Sequence, residues 1–181
     1  MKLLDKYVLF RTEPPMSLDT PCLIRFSDPV YVQGGETLEF TSGRQLYLWF
    51  KAKFFGEEEI ARYLLQGGKE WTADSVLEME SDEDWATVKE EYMKRVQTYK
   101  FFQNKDLREK LLDKTYEGKE FIFADPVDTF WGIGFSEEDG EGKESRWGKN
   151  VLGILLTELR NQMKDYTGQY PSRGLYLPKA K

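Results

Sequence analysis

A chain of 181 residues is long enough to bury a core and suits a single domain spanning residues 1–181. Its 26 Lys and Arg against 32 Asp and Glu give a net charge of −6 and a pI near 5.0, which argues against broad non-specific binding to nucleic acid. The chain has no histidine, which removes Ser-His and Cys-His nucleophile pairs, His-ligated zinc and the usual near-neutral proton shuttle, so any catalysis must use Asp, Glu, Lys, Tyr or Cys.

The lone Cys22 cannot form an intrachain disulfide, and Met1 to Arg11 mixes charge with a short apolar run unlike a signal peptide. With a mean hydropathy of −0.63 and no stretch apolar enough to span a bilayer, the expectation is a soluble, cytoplasmic protein with no membrane partner.

In chain order, short strands are predicted at Tyr7 to Arg11, Cys22 to Phe26, Pro29 to Gln33 and Thr37 to Thr41. Breaks at Pro14-Pro15, Asp28-Pro29 and Gly34-Gly35 separate them, the pattern of an antiparallel meander. Arg44 to Phe55 reads as a helix stopped by Gly56, and Glu57 to Gln66 as a second one ended by Gly67-Gly68, the two forming a helical pair. Ser81-Asp82-Glu83-Asp84-Trp85 resembles a capped helix start. The stripe through Tyr92, Val96 and Phe101 makes this the longest helix. A short helix over Lys105 to Leu112, a strand over Lys119 to Ala124, a Gly-rich acidic loop over Ser136 to Ser145, a last long helix over Gly148 to Lys164 and an irregular tail from Gly168 complete the reading.

The helix from Arg44 to Phe55 is apolar almost all the way round, the pattern of a helix buried on most sides. Lys51 and Lys53, two positions apart, point to nearly opposite sides, whereas Arg44, Tyr47 and Lys51 share a face. A partly buried lysine loses ammonium hydration, and its neutral amine can attack an anomeric carbon. The blander reading, favoured by sequence alone, lays both lysine stems on apolar surface and sends both charges to water.

Asp125 and Asp128 straddle Pro126 after a strand. They either cap a turn or bind ribose hydroxyls and stabilise an oxocarbenium-like centre. Gly132-Ile133-Gly134 lacks the third glycine and the strand-to-helix context of a dinucleotide fingerprint, so it reads as close backbone packing or a pocket wall. Trp85, Trp131 and Trp147 are core by default, with Trp131 beside the glycines the best candidate to stack on a base or ribose; Trp49 and Trp71 carry no specific signal. Glu137, Glu138, Asp139, Glu141 and Glu144 lack the regular ligand positions of a calcium loop and read as solvated.

Five stretches stand in order along the chain: Phe26-Ser27, Gln45 through Lys51-Ala52-Lys53-Phe54-Phe55-Gly56-Glu57, Lys100-Phe101-Phe102-Gln103-Asn104-Lys105-Asp106-Leu107-Arg108, Pro126 to Gly134, and Gly148-Lys149-Asn150-Val151-Leu152-Gly153 to Arg160. Taken together, they resemble the NADAR, or YbiA-like, family. The resemblance implies an α+β, mostly helical fold and N-glycosidase activity on ribosylated nitrogens, with no metal or organic cofactor. Substrates implied are phosphoribosylamino-pyrimidine intermediates of riboflavin synthesis or ADP-ribose attached to guanine, as nucleoside or on DNA.

By the same resemblance Lys51 and Asp128 are the catalytic positions, with Lys51 forming a Schiff base with the opened ribose. Phe26, Ser27, Arg44, Tyr47, Trp85, Asp125, Trp131, Gly132, Ile133, Gly134 and Asn150 are expected to bind substrate. One departure stands out: the acidic residue that opens the family's helical motif falls at Arg44. A cation there would attract a phosphate and disfavour a protonated Lys51. Turnover then needs a carboxylate from Asp128, Asp125 or Glu39. The alternatives are a non-catalytic ADP-ribose or nucleotide-binding module and, last, a purely structural protein.

Overall fold

In the computed structural model, which describes residues 1–67 and 83–164, the chain is α+β, with five helices and short strands in two small sheets among the described residues. Expected as one domain, these residues group into two compact units: residues 1–20 with 105–164, and residues 21–67 with 83–104.

The first unit is built on a three-stranded sheet in the order β1 (Lys2–Leu3), β2 (Tyr7–Phe10), β5 (Glu120–Phe123). β1 runs antiparallel to β2, pairing Lys2 with Leu9, while β2 and β5 are parallel, with Tyr7 opposite Glu120 and Phe10 opposite Phe123. The antiparallel meander is therefore corrected. Val8, Leu9 and Phe10 are all fully buried, the unbroken apolar run of a strand covered on both faces, and the partner it needs lies more than a hundred residues on in the chain.

The other edge of β5 is closed by side chains of a helix, α5 (Val151–Lys164), and of Asn150 just before it. Phe121 N–H donates to Thr157 Oγ1 at 2.9 Å, Phe123 N–H donates to Asn150 Oδ1 at 2.8 Å, and Asn150 Nδ2 donates to the Phe121 carbonyl at 3.0 Å. These bonds satisfy backbone groups that another strand would otherwise have to meet. Such closeness requires Gly153, where a Cβ would lie 2.1 Å from the Phe121 oxygen. Buried Arg160, from the same helix, donates to the carbonyls of Tyr116 and Lys119 and tethers the turn that leads into β5.

The second unit pairs β3 (Ile24–Phe26) antiparallel with β4 (Leu38–Phe40), with Ile24 opposite Phe40 and Phe26 opposite Leu38. Ile24 and Phe26 are buried and Arg25 exposed, the alternation of a strand with one covered face. Between these strands the expected strand over Pro29 to Gln33 is a turn instead. Asp28 holds it, its carboxylate accepting from Val30 N–H at 2.9 Å and its carbonyl from Tyr31 and Val32.

Helix α1 (Gly43–Phe54) begins where Ser42 Oγ accepts from Gln45 N–H, and it ends at Gly56, whose φ of 74° only glycine adopts cheaply. It packs on α2 (Glu58–Leu65), which buries Ile60, Ala61 and Leu64, and on α3 (Glu83–Gln103), at 21 residues the longest described helix. The end of α3 is fastened to β3 by reciprocal bonds between the Gln103 amide and the Arg25 backbone, and by Asn104 Nδ2 donating to the Leu23 carbonyl.

A short helix, α4 (Lys105–Leu111), belongs to the first unit. The Ser81-Asp82 cap, the Gly68 stop, Trp71 and the tail from Gly168 lie outside the described residues. Among the described residues no helix is long and apolar enough to cross a membrane.

Candidate functional site

The expected site residues fall into two sets, one in each unit. In the second unit the central group is Lys51, only 2 % exposed near the end of α1. Its Nζ lies 5.8 Å from the ring centroid of Trp85, itself fully buried in the first turn of α3, within the range of a cation–π contact. Tyr47, one turn before Lys51, sets its ring 5.8 Å from that indole, and Phe54 lies 5.3 Å from it. Lys53 departs from Lys51 as the helical spacing requires: it is half-buried and pairs with Glu58 on α2. The reading that sends both lysine charges to water is thus corrected for Lys51, because this side of α1 is roofed by the aromatic residues of α3.

Arg44 is exposed and Tyr47 buried on the face they share with Lys51. Phe26, expected to touch substrate, is instead 1 % exposed and packs against Trp49, Phe50, Tyr31 and Tyr99; Ser27 beside it is exposed. Trp85 likewise offers no open face, since Tyr92 stacks on it with centroids 5.3 Å apart and planes at 21°. Both pack within the aromatic core of this unit.

Sequence reasoning missed a polar network beneath this cluster. Tyr92 and Tyr31 share a hydroxyl–hydroxyl bond of 3.0 Å, Arg95 Nη1 donates to Tyr31 Oη at 3.4 Å, and Arg95 Nη2 stands 3.7 Å from Asp28 Oδ2. Burial, reinforced by the bond to Tyr31, pushes the Tyr92 hydroxyl well above its ordinary range, so it stays a neutral phenol. The sequence signal was present: Tyr92 is seven residues after Trp85, on the same face of one helix.

In the first unit the loop after β5 carries the second set. Asp125 Oδ1 accepts from the N–H groups of Val127 and Asp128 at 2.9 and 3.0 Å, and its Oδ2 meets Arg11 Nε at 3.3 Å. Burial raises the Asp125 pKa, but those two backbone donors and Arg11 outweigh it and hold the carboxyl below its ordinary range. Asp128 repeats the device one step on, with Oδ1 accepting from Phe130 N–H at 2.9 Å and Trp131 N–H at 2.7 Å. Both carboxylates cap turns, and Asp128 does so with Oδ1 alone. Trp131 is half-buried, edge-on to Phe130 at 5.0 Å.

The glycines of this loop serve close packing. A Cβ on Gly132 would lie 2.7 Å from the Phe123 oxygen, and one on Gly148 2.4 Å from that of Thr129. Gly134, at φ 73°, turns the chain so that its N–H reaches the Asp128 carbonyl. Ile133, fully buried in a cluster with Leu9, Ile122 and Ala124, and the buried Gly132 before it, both expected to bind substrate, lie in the packed interior.

The residues before and at the start of α5 lie along this loop, with Asn150, Val151 and Leu152 donating to the carbonyls of Gly132, Phe130 and Trp131. The helix therefore starts at Val151 rather than Gly148. Asn150, also expected to touch substrate, commits both ends of its amide to β5 and holds a φ of 52° that asparagine tolerates. Trp147 donates its indole N–H to the Gly140 carbonyl and packs edge-on to Tyr7. Among the described residues no group of three or more acidic or Cys side chains is placed to hold a metal ion.

Residues 13–164 match the NADAR domain family. The chain belongs to the NADAR family. This NADAR chain is 29 % identical over 133 residues to protein irg-1 of Caenorhabditis elegans, a match covering 70 % of this chain and 62 % of that protein. It is 40 % identical over 80 residues to N-glycosidase YbiA of Escherichia coli K12, covering 44 % and 43 % respectively. The chain thus spans less than two thirds of the length of either curated relative. The NMR structure of E. coli YbiA superposes with a TM-score of 0.56 and 25 % identity over 90 % of this chain and 88 % of that one. The two share an α+β fold.

Proposed function

We propose that this NADAR chain is an N-glycosidase that hydrolyses a ribose–nitrogen bond, either releasing ADP-ribose from guanine, in nucleoside or DNA, or cleaving phosphoribosylamino-pyrimidines. The observation that carries the reading is the burial of Lys51, 2 % exposed with Trp85 as its neighbour. A lysine amine is a nucleophile that can attack an anomeric carbon and form an imine with the opened sugar. In a chain whose family includes a protein named N-glycosidase, that is the group the chemistry calls for.

In the reaction proposed, the Lys51 nitrogen attacks the anomeric carbon and the carbon–nitrogen bond to the base breaks. The base departs with the electron pair and takes up a proton, and the amine releases one. The ribose ring opens to leave an imine on Lys51. Water adds to that imine carbon and expels the sugar as its aldehyde, restoring the amine. Asp128, whose Oδ1 is spent on two backbone donors, is the carboxylate proposed as a second catalytic group. Trp131, half-buried, is the ring proposed to stack on a base or ribose.

The test is incubation with ADP-ribosylated guanosine, the same group on DNA, and the phosphoribosylamino-pyrimidines, followed by chromatography for released base. Release from one class assigns the substrate. A second reading rests on Arg44, an exposed cation where the family's helical motif carries an acid: a module that holds ADP-ribose by its diphosphate without turnover. ADP-ribose binding with no released base from any substrate would establish that reading over hydrolysis.

A further inference from the structure

Where the Lys51 amine stands matters to any reaction it performs. The side chain has four rotatable carbons, and a nucleophile misplaced by an ångström loses much of its effect. Trp85 lies against it, its indole flanked by Tyr47, Phe54 and Phe55 and stacked on Tyr92 at 5.3 Å and 21°, the one near-parallel ring contact among these four. Tyr92 is held in turn at its far end. Its ring packs on Phe50 at 5.1 Å, and its hydroxyl meets that of Tyr31 at 3.0 Å, with Arg95 donating to Tyr31 and Asp28 facing Arg95. Tyr31 also sets its ring 5.5 Å from Phe50, so the two phenols grip α1 between them.

A buried phenol hydroxyl is costly unless it is hydrogen-bonded, so the bond between Tyr31 and Tyr92 favours the ring orientations in which the two hydroxyls meet. Phenylalanine at either position would fill the same space without that constraint.

We propose that Tyr92, locked by Tyr31, is a positioning residue for Lys51, acting through the indole of Trp85. The proposal rests on the reading of Lys51 as the nucleophile for its catalytic consequence, and on geometry alone for its structural one. Arg95 and Asp28 complete the device at its base by holding the Tyr31 hydroxyl.

The test uses the full chain and Tyr92→Phe, Tyr31→Phe and the double variant. Three quantities are measured: the rate at which borohydride traps substrate on Lys51, the kcat and KM of base release, and the NMR position of the Lys51 ε-methylene, which the Trp85 ring current displaces. Each single change should slow trapping and kcat by about three- to tenfold with KM within about twofold, the worth of one buried hydrogen bond. It should also move the ε-methylene resonance toward its ordinary position. The double variant should be no worse than either single one, because both remove the same bond.

An unmoved ε-methylene signal in folded Tyr92→Phe overturns the proposal, whatever the enzyme does. So do additive losses in the double variant. If the wild-type chain traps nothing while the signal still moves in Tyr92→Phe, the geometry stands and the nucleophile reading fails. Should Tyr92→Phe not fold, Tyr31→Phe, at the half-buried end of the pair, carries the same measurements.

Discussion

Asp128 accepts the Trp131 N–H at 2.7 Å, so the carboxylate that the chemistry would use also fixes the backbone of the tryptophan proposed to stack. Asn at this position retains an oxygen for both backbone donors and loses only the charge. Asp128→Asn is therefore expected to lower kcat by about a hundredfold, the scale for removing one electrostatic group from a reacting centre, with the melting temperature nearly unchanged. Asp128→Ala removes the acceptor as well and should cost about 1–3 kcal/mol of stability. A larger loss of activity in Asp125→Asn than in Asp128→Asn, at equal melting temperature, would transfer the role to Asp125.

Asp125 should show itself through stability as a function of pH. Its folded-state pKa lies below the unfolded value, so its contribution is present above the unfolded pKa, about 3.9. It fades as pH falls through that value and then through the folded one. Wild type and Asp125→Asn should thus differ in thermal stability at pH 6 to 7 and converge in the acid range below the ordinary carboxylate pKa. A gap that persists undiminished well below that range would mean that the carboxylate charge is not what holds the turn.

For Lys51, borohydride added with substrate should leave an adduct on that residue, located by peptide mass mapping, and Lys51→Ala should abolish both adduct and hydrolysis. Lys53, paired with Glu58 on the other side of α1, should not be labelled, and Lys53→Ala should retain turnover. Hydrolysis that survives Lys51→Ala would exclude the lysine mechanism and leave a carboxylate as the main catalytic group.

Arg44 is proposed as a phosphate contact at the exposed start of α1. Arg44→Ala should weaken ADP-ribose binding by about tenfold at low salt and by less at high salt, as screening reduces the contribution of an exposed charge. Equal affinity of the two proteins by calorimetry at both salt levels would remove Arg44 from the site. Arg44→Glu, which restores the family's acid, should raise the rate of base release if the substitution limits turnover; a lower rate would show a site built around the cation.

Much of this was legible in the sequence, and the reason is local. The helices α1, α2, α3 and α5 declare themselves by caps, glycine stops and 3.6-residue periodicity, interactions made between residues a few positions apart. The separation of Lys51 from Lys53 follows from the same geometry, and the family follows from five ordered motifs. Between them these elements determined the fold class, and the family motif singled out Lys51.

Tertiary structure decided what depends on distant partners. The strand β2 reads the same in sequence whether its neighbour is parallel or antiparallel, and only packing assigns it β5. Asn150 and Ile133 sit in motifs that suggest a ligand, yet one closes the edge of a sheet and the other fills the core. Lys51 is buried beside Trp85, a residue more than thirty positions later in the chain. A periodic pattern records which side of a helix is apolar. Which side chains of another element cover that side, and so which lysine loses its water, is set only when the elements pack.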